Sequence, residues 1–239
     1  TARYILGNLG NGKGFDPDKD SVSYDKFTEL DKWAVMRLDS LIDKVNEGYN
    51  AFDFHIVFHA IHNFCVTDMS NFYLDIIKDR LYCEKEDSVI RRAAQTAMYN
   101  ILSAVSRLVA PIISFTAEEI WKYMPHRSCD DKESVFLNQM PEKSGLSFAP
   151  EFVSKWELIY NIREAANKVL EEKRNEKLIG KSLEANIIIH CDSKVFDTYA
   201  ALACELKDIL IVSGVSAVKD DSATEPAFEV VKAKSEKSE

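Results

Sequence analysis

Long apolar runs, paired cysteines and an excess of basic residues are all lacking in this sequence. The longest apolar stretch, residues 101–115, is interrupted by Arg107, so no segment reaches the roughly 18 uncharged apolar residues that a membrane-spanning helix requires. The five cysteines are odd in number and include no Cys-x-x-Cys pair. This pattern excludes a disulfide framework or a zinc ribbon, and it fits a reducing, cytoplasmic setting.

The composition that remains is that of a folded, acidic protein. Of 239 residues, 46% are hydrophobic and 29% are charged, which predicts one or two globular domains. The formal charge is −9, and the acidic excess is spread over both halves. Because phosphates attract basic surfaces, any binding of RNA must rely on a local patch. The chain has no initiating Met and begins inside an apolar-periodic pattern, which predicts a piece of a longer polypeptide.

Apolar residues recur at intervals of three and four over much of the first half, which is typical of amphipathic helices. The spacing predicts helices over residues 27–49, 53–79 and 88–110, and a short helix that ends before Pro125. The predicted caps are Asp53, Ser88 and a capping box of Thr116 with Glu119. The glycines of residues 7–14 predict a connector, since Lys13 is not followed by the Ser or Thr of a phosphate-binding loop.

A change of pattern separates the second half. Residues 126–150 are irregular, and the domain boundary is predicted after residue 146. Pro150 is expected to open a long helix that ends near Lys177, and Ser193 to cap a helix through Leu206. Short β-branched runs predict strands at 187–191, 209–212, 215–218 and 228–231. The predicted fold is mainly α, with a helical bundle over residues 1–146 and a small α+β domain, including the long helix, over residues 147–239.

Three histidines offer the sharpest candidate for metal chemistry. His55, His59 and His62 share one helix face within the reach of metal ligands. The Glu of a His-Glu-x-x-His site is missing, and no nearby acidic residue completes the set. A polar or packing role is therefore favoured over a metal site. No nucleophile motif is present either, so the sequence gives no support for catalysis.

Polar side chains on the first three long helices form a second candidate site. On the second helix, Asn71, Asp75 and Lys78 share one face that is expected to look outward. The third helix is expected to carry a polar face opposite its apolar stripe, formed by Arg91, Arg92, Gln95, Tyr99 and Ser106. Basic groups interleaved with aromatic rings are what single-stranded RNA recognition requires, because cations meet phosphates and rings stack on splayed bases. The competing interpretation is a solvated face joined by salt bridges. The candidates for RNA binding are Trp33, Arg37, Asn71, Lys78, Arg80, Arg91 and Arg92.

Several segments resemble isoleucyl-tRNA synthetases in order and spacing. They are TARYILGNL at 1–9, LDKWA at 30–34, YNAFDFH at 49–55, FYLDIIKDRLY at 72–82 and APIISFTAEEIW at 110–121. The segment at 72–82 is also similar to valyl enzymes, which remain the alternative. The sequence GKSLEA at 180–185 and the α+β segment after it look more like the isoleucyl family. Phe136 and Met140 depart from the resemblance, since the family commonly has His and Trp there.

The resemblance implies a helical bundle of the class I synthetase anticodon-binding type. It implies the tRNA-recognition portion of an ATP-dependent isoleucine–tRNA ligase, non-catalytic by itself. No His-Ile-Gly-His or Lys-Met-Ser-Lys-Ser motif is present, so the catalytic and editing parts are expected N-terminal to residue 1. No cofactor is expected in this portion. The longer enzyme is expected to use ATP and Mg, and possible Zn would belong to a cysteine ribbon beyond residues 232–237.

The implied partner is the anticodon stem-loop of tRNA(Ile), with no DNA or membrane partner and a monomeric state. In that reading Trp33 stacks on a base, Arg37 contacts phosphate, and Asn71, Lys78, Arg91 and Arg92 contact the backbone or base edges. Arg80 is assigned either to RNA or to an ion pair with Asp75 or Asp79. On the long helix, the tRNA stem is a candidate partner for Arg163, Lys168, Lys173, Arg174 and Lys177. A helical protein-interaction module without RNA contact is the main rival.

Overall fold

The computed structural model describes residues 1–10, 14–220 and 226–233. The chain forms two compact units, Thr1–Phe148 and Ala149–Glu239. The boundary between them lies after Phe148, whereas the sequence places it after residue 146. The predicted connector at residues 7–14 falls partly outside the described residues. In the ranges that are described, no helix combines the length and the apolar character needed to cross a membrane.

The first unit is built from helices, as predicted. Two short 3-10 turns, Tyr24–Lys26 and Val135–Leu137, flank longer elements. A π-helical segment, Phe64–Tyr73, continues the third helix directly. The α-helices are α1 (Ala2–Leu9), α2 (Glu29–Asn50), α3 (Phe54–Asn63), α4 (Leu74–Ile76), α5 (Lys78–Cys83), α6 (Val89–Val109) and α7 (Ser114–Tyr123).

The caps are only partly those that the sequence predicts. Asp53 and Ser88 occupy N-cap positions, but neither makes a side-chain cap hydrogen bond. The predicted capping box of Thr116 with Glu119 is wrong, because α7 begins at Ser114 and Thr116 lies inside it. A complete capping box opens α2 instead, where the side chains of Thr28 and Asp31 each bond the other's backbone N–H.

Helix α6 is the central helix of the first unit, and the prediction that it presents a polar face is wrong. Its neighbours include α1, α2, α5 and α7. The supposed outer residues are buried and find partners inside the unit: Gln95 Nε2 donates to the Asn8 carbonyl at 3.2 Å, and Tyr99 Oη donates to Asp130 Oδ2 at 3.0 Å. A polar residue on a helix therefore does not mark a solvent-facing side when packing surrounds the helix.

The second unit joins a long helix to a small mixed sheet. Its elements are α8 (Pro150–Asn175), a 3-10 turn (Ser182–Glu184), β1 (Ala185–Cys191), α9 (Phe196–Leu210), β2 (Gly214–Lys219) and β3 (Ala227–Lys232). The strand order is β2-β1-β3. Strand β1 runs parallel to β2, with Ile187 opposite Val215, and antiparallel to β3, with Ile188 opposite Glu229. The predicted fold class is confirmed.

One predicted strand of this unit is wrong. Residues 209–212 do not pair in the sheet, because Ile209 and Leu210 form the last turn of α9. Ile211 then adopts a left-handed conformation with φ 56° and closes the helix. Ile209 and Leu210 are both buried, so they serve the core from a helix. A short apolar run fits either element, and periodicity does not distinguish the two.

Acidification is expected to destabilise the first unit through His126. Its Nε2 lies 2.9 Å from the Trp121 carbonyl oxygen, and its buried Nδ1 has no partner among the described residues. Burial lowers the pKa of His126 below its ordinary value of 6.5. The unfolded chain therefore binds a proton first, and the folded state loses stability as pH falls from about 6.5 through the lowered pKa.

Urea denaturation at a series of pH values between 5 and 7.5 measures this effect. The variant His126→Gln is expected to show a weaker loss of unfolding free energy over that range. An unchanged pH dependence in the variant would contradict the assignment to His126. Asp68 has the opposite effect on stability. Burial raises its pKa, so the folded state gains stability from this carboxyl as pH falls, whereas it loses stability through His126.

Candidate RNA-binding surface

Arg80 belongs to a buried network rather than to the surface. The Asp31 side chain is fully buried, and Tyr73 Oη donates to its Oδ1 at 2.7 Å. Arg80 NH1 donates to Thr28 Oγ1 at 2.8 Å and lies 3.4 Å from Asp31 Oδ2. A structural ion pair is thus the better of the two roles proposed for Arg80, but its partner is Asp31 and not Asp75 or Asp79.

The predicted base-stacking role of Trp33 is wrong. The side chain is only 3% exposed, and its ring lies 4.5 Å from that of Phe72 between ring centroids. Trp33 follows the Thr28–Asp31 capping box by less than one turn of α2, which points it into the contact between α2 and the π-helical segment. The ring has no face available to an RNA base.

Arg91 and Arg92 are also drawn into internal contacts. Arg91 is 9% exposed and NH1 donates to the Glu84 carbonyl at 2.9 Å, so its predicted contact with RNA is wrong. Arg92 is half-buried; its NH2 lies 3.3 Å from Asp20 Oδ1 and its NH1 donates to Gln95 Oε1. Both assignments depended on an outward face of α6, which the packing removes.

Arg37, Asn71 and Lys78 are the predicted residues that remain exposed. Arg37 forms an ion pair with Asp68 at 2.9 Å and keeps 45% of its side chain exposed. Asp68 lies three residues before Asn71 in the π-helical segment. Burial raises the pKa of Asp68, and Arg37 opposes that rise. Lys78 pairs with Asp75 at 2.7 Å and is 51% exposed.

The backbone between Asn71 and Lys78 is not a regular α-helix. The π-helical segment carries Asn71, and Ile77 interrupts the helix with φ −77° and ψ 2° before Lys78 opens α5. A π-helical turn and a break both change the angular phase of the residues that follow. The prediction that Asn71 and Lys78 share one continuous helix face therefore does not describe the molecule.

The cations of α8 in the second unit are engaged with its own neighbours. Arg163 is buried and donates to the Ile209 carbonyl, so its predicted contact with the tRNA stem is wrong. Lys168 pairs with Glu164 at 3.3 Å, Lys173 with Glu176 at 2.7 Å, and Arg174 with Glu171. Exposed pairs of this kind are typical of a solvated helix.

An exposed aromatic face on α3 is the feature that sequence reasoning missed. His55, His59 and His62 are all exposed, and Phe54 and Phe58 beside them are 51% and 45% exposed. Aromatic residues that recur every four positions usually indicate a buried helix face, so the sequence pattern does not predict that these rings are exposed. Among the described residues no group of three His, Cys, Asp or Glu side chains is placed to hold a metal ion, so the metal alternative loses its geometric basis.

A family model supplies the classification. The model "Anticodon-binding domain of tRNA ligase" matches residues 31–189, from α2 into β1. The chain belongs to this anticodon-binding family. The predicted resemblance is confirmed, and the match includes the capping box residue Asp31, the aromatic face of α3 and the whole of α6.

Relatives of this anticodon-binding chain are named isoleucine–tRNA ligases. The sequence is 47% identical to that of Desulforamulus reducens over 216 residues, 43% to that of Syntrophotalea carbinolica over 221 and 42% to that of Coxiella burnetii over 230. These alignments cover 90%, 92% and 96% of the chain, respectively, and 23% to 24% of each relative. The chain therefore spans about a quarter of the length of the curated relatives that it matches.

Proposed function

We propose that the chain is the tRNA-recognition portion of an isoleucine–tRNA ligase and binds the anticodon stem-loop of tRNA(Ile). The observation that carries the proposal is the family match over residues 31–189, together with relatives that are isoleucine–tRNA ligases. The portion is non-catalytic by itself. In the longer enzyme it holds the anticodon end of the tRNA while another part joins isoleucine to the acceptor end.

Other properties of the longer enzyme follow from the same proposal. The catalytic part would use ATP and Mg, and a cysteine ribbon would hold any Zn. The motifs of the catalytic part and of the ribbon do not occur in these 239 residues. The chain is proposed to act in the cytoplasm as a monomer, without a DNA or membrane partner. The odd number of cysteines and the lack of a Cys-x-x-Cys pair support a reducing compartment.

The cationic contacts are proposed to come from Arg37 and Lys78, with Asn71 donating and accepting hydrogen bonds at a base edge or phosphate. Arg37 and Lys78 each keep about half of the side chain in solvent while paired with a carboxylate. Asp75 is one-third exposed, so the Lys78–Asp75 pair is worth little and a phosphate can replace Asp75 at small cost. Asp68 is buried, so Arg37 keeps this partner while the exposed part of its side chain meets a phosphate. The net charge of −9 makes such local cations necessary.

Removal of the Lys78 charge is expected to weaken RNA binding in a salt-dependent way. We expect Lys78→Ala to raise the Kd for a tRNA(Ile) anticodon stem-loop about fivefold at 0.1 M salt and to reduce the slope of log K against log salt by about 0.7 to 1. Fluorescence anisotropy of the labelled stem-loop over 0.05 to 0.3 M salt measures both quantities. A stem-loop with a scrambled anticodon loop tests preference.

The matched control is Lys143→Ala, because Lys143 is 53% exposed and pairs with Asp43 at 3.0 Å in the same unit. The control removes the same charge and an ion pair of the same kind, and its slope should equal that of the parent chain. Equal slopes for both variants would contradict the Lys78 contact. Absence of any salt-sensitive preference for the isoleucine loop in the parent chain would favour a protein-interaction module instead.

A further inference from the structure

We propose that the α3 outer face is a stacking platform for unpaired RNA bases. The name refers to the exposed rings of Phe52, Phe54, His55, Phe58, His59 and His62. The inference rests on the proposed function, because the occupant is the single-stranded loop of the RNA that the chain is proposed to bind. It adds a site that carries base contacts, whereas Arg37 and Lys78 account for phosphate contacts.

Exposure of the rings is the first observation. Phe52 is 78% exposed, Phe54 51% and Phe58 45%, while Val57, Ala60 and Ile61 on the other side of α3 are buried. The helix is thus held by its aliphatic residues, and its larger aromatic residues are left in water. Burying a Phe side chain is favourable by about 1.5 to 3 kcal/mol, so several exposed rings on one face indicate a surface that a partner covers.

Charge is the second observation. Residues 54–67 contain no Asp, Glu, Lys or Arg, although 29% of the chain is charged. A carboxylate on this face would repel a phosphate backbone. Residues 54–67 contribute none, and Asp53, the N-cap residue between Phe52 and Phe54, is the one carboxylate within residues 52–67. The other polar rings of the aromatic face are the three imidazoles, which carry no negative charge. In a chain of net charge −9, this face is accessible to an RNA strand without carboxylate repulsion from α3 itself.

Ring geometry is the third observation. Phe58 lies 6.0 Å from His62 with an angle of 27° between the rings, and 5.7 Å from His59 at 70°. Phe54 meets Phe52 and Tyr49 edge to face at 6.3 and 6.0 Å. Edge contacts hold Phe54, and an edge contact with His59 and a stacked contact with His62 hold Phe58, while about half of each phenyl side chain stays exposed. Protein rings that follow one another along a surface allow successive splayed bases of a single strand to stack on them, and this stacking does not depend on the RNA sequence.

The backbone of Phe52 is the fourth observation. Its φ is 60°, in the left-handed region that costs an L-residue about 1 kcal/mol and that glycine adopts freely. The turn between α2 and α3 therefore carries an exposed Phe where a glycine would fit without strain. Strained residues persist where they are used, and a ring presented to a base is such a use.

The variants separate stacking from folding. The double variant Phe54→Ala with Phe58→Ala removes two exposed rings, and we expect it to raise the Kd for the tRNA(Ile) anticodon stem-loop at least tenfold with an unchanged salt slope. Phe52→Gly is expected to weaken binding severalfold while its melting temperature is equal to or above that of the parent chain. The matched control is Phe115→Ala on α7, where the side chain is 94% exposed, and its affinity should stay unchanged.

Three RNA probes distinguish failure of this inference from failure of the proposed function. They are the isoleucine stem-loop, the same stem with a scrambled loop, and a fully paired duplex. If both loops bind equally, more tightly than duplex, and the α3 variants lose both, the isoleucine assignment fails and the platform stands. If the isoleucine loop is preferred but the α3 variants bind like the parent chain, the platform is overturned. Binding to none of the probes overturns both, and leaves a protein partner as the occupant of the face.

Discussion

Asp31→Ala is expected to lower the free energy of unfolding of the first unit by about 3 to 5 kcal/mol. The carboxylate is fully buried and accepts from the Tyr73 hydroxyl, the Thr28 hydroxyl and the Thr28 backbone N–H. Its removal leaves these donors without their acceptor and the Arg80 guanidinium without its paired carboxylate in a region of low dielectric. The capping box of α2 loses its reciprocal half at the same time, because the Thr28 backbone N–H no longer meets the Asp31 carboxylate.

Urea denaturation followed by circular dichroism measures this change. Asp43→Ala is the matched control on the same helix, because the side chain of Asp43 is 53% exposed and pairs with Lys143; its cost should stay within about 0.5 kcal/mol. In a double-mutant cycle, Arg80→Ala should cost less in the Asp31→Ala background than alone. A cost for Asp31→Ala no larger than that of the control would mean that the network does not stabilise the fold.

Trp33→Ala is the second substitution with a large expected effect, again about 3 to 5 kcal/mol of unfolding free energy. The indole is almost entirely buried against Phe72, and its deletion leaves a large cavity between α2 and the π-helical segment. Aromatic pairs in such contacts add about 0.5 to 1.5 kcal/mol beyond the buried area. Tyr123→Ala is the surface control, because that ring is 62% exposed on α7.

Stability and RNA affinity are both measured for Trp33→Ala, since the sequence predicts that Trp33 stacks on RNA. Denaturation curves should show a lower midpoint for Trp33→Ala. At a temperature where the variant is folded, the affinity of the remaining native protein for the anticodon stem-loop should equal that of the parent chain. A variant of normal stability with tenfold weaker RNA binding would restore the stacking role and contradict the buried position.

The segments that carry the family resemblance form the interior of the first unit. Asp31 and Trp33 come from the segment at 30–34, and Phe72, Tyr73 and Arg80 come from the segment at 72–82. The structure joins them by the ring contact of Trp33 with Phe72 and by the hydrogen bonds to Asp31. The residues that best identify the family are thus largely those that pack α2 against the π-helical segment and α5, and they are a poor guide to the binding surface.

The errors in helix structure have a common physical origin. Sequence periodicity predicts one helix over residues 53–79, but the structure divides it into α3, a π-helical segment and α4, with a break at Ile77. A π-helical insertion keeps the apolar residues Met69, Phe72 and Tyr73 buried while the phase of the exposed residues shifts. Apolar residues spaced by three and four positions fit both a regular helix and a helix with this phase shift. The sequence spacing therefore does not show that the shift is present.

The amino-acid sequence alone determined the helical class of the first unit, the start of α8 at Pro150, the strands β1 to β3 and the family, because periodicity, caps and local motifs are properties of neighbouring residues. Tertiary structure decided which polar and aromatic side chains are accessible. Burial of Trp33 and Arg91 and exposure of Phe54 and Phe58 depend on which helices surround each element. Helix α6 is enclosed by several neighbours and α3 by fewer, and this difference in packing is not encoded in the spacing of either helix.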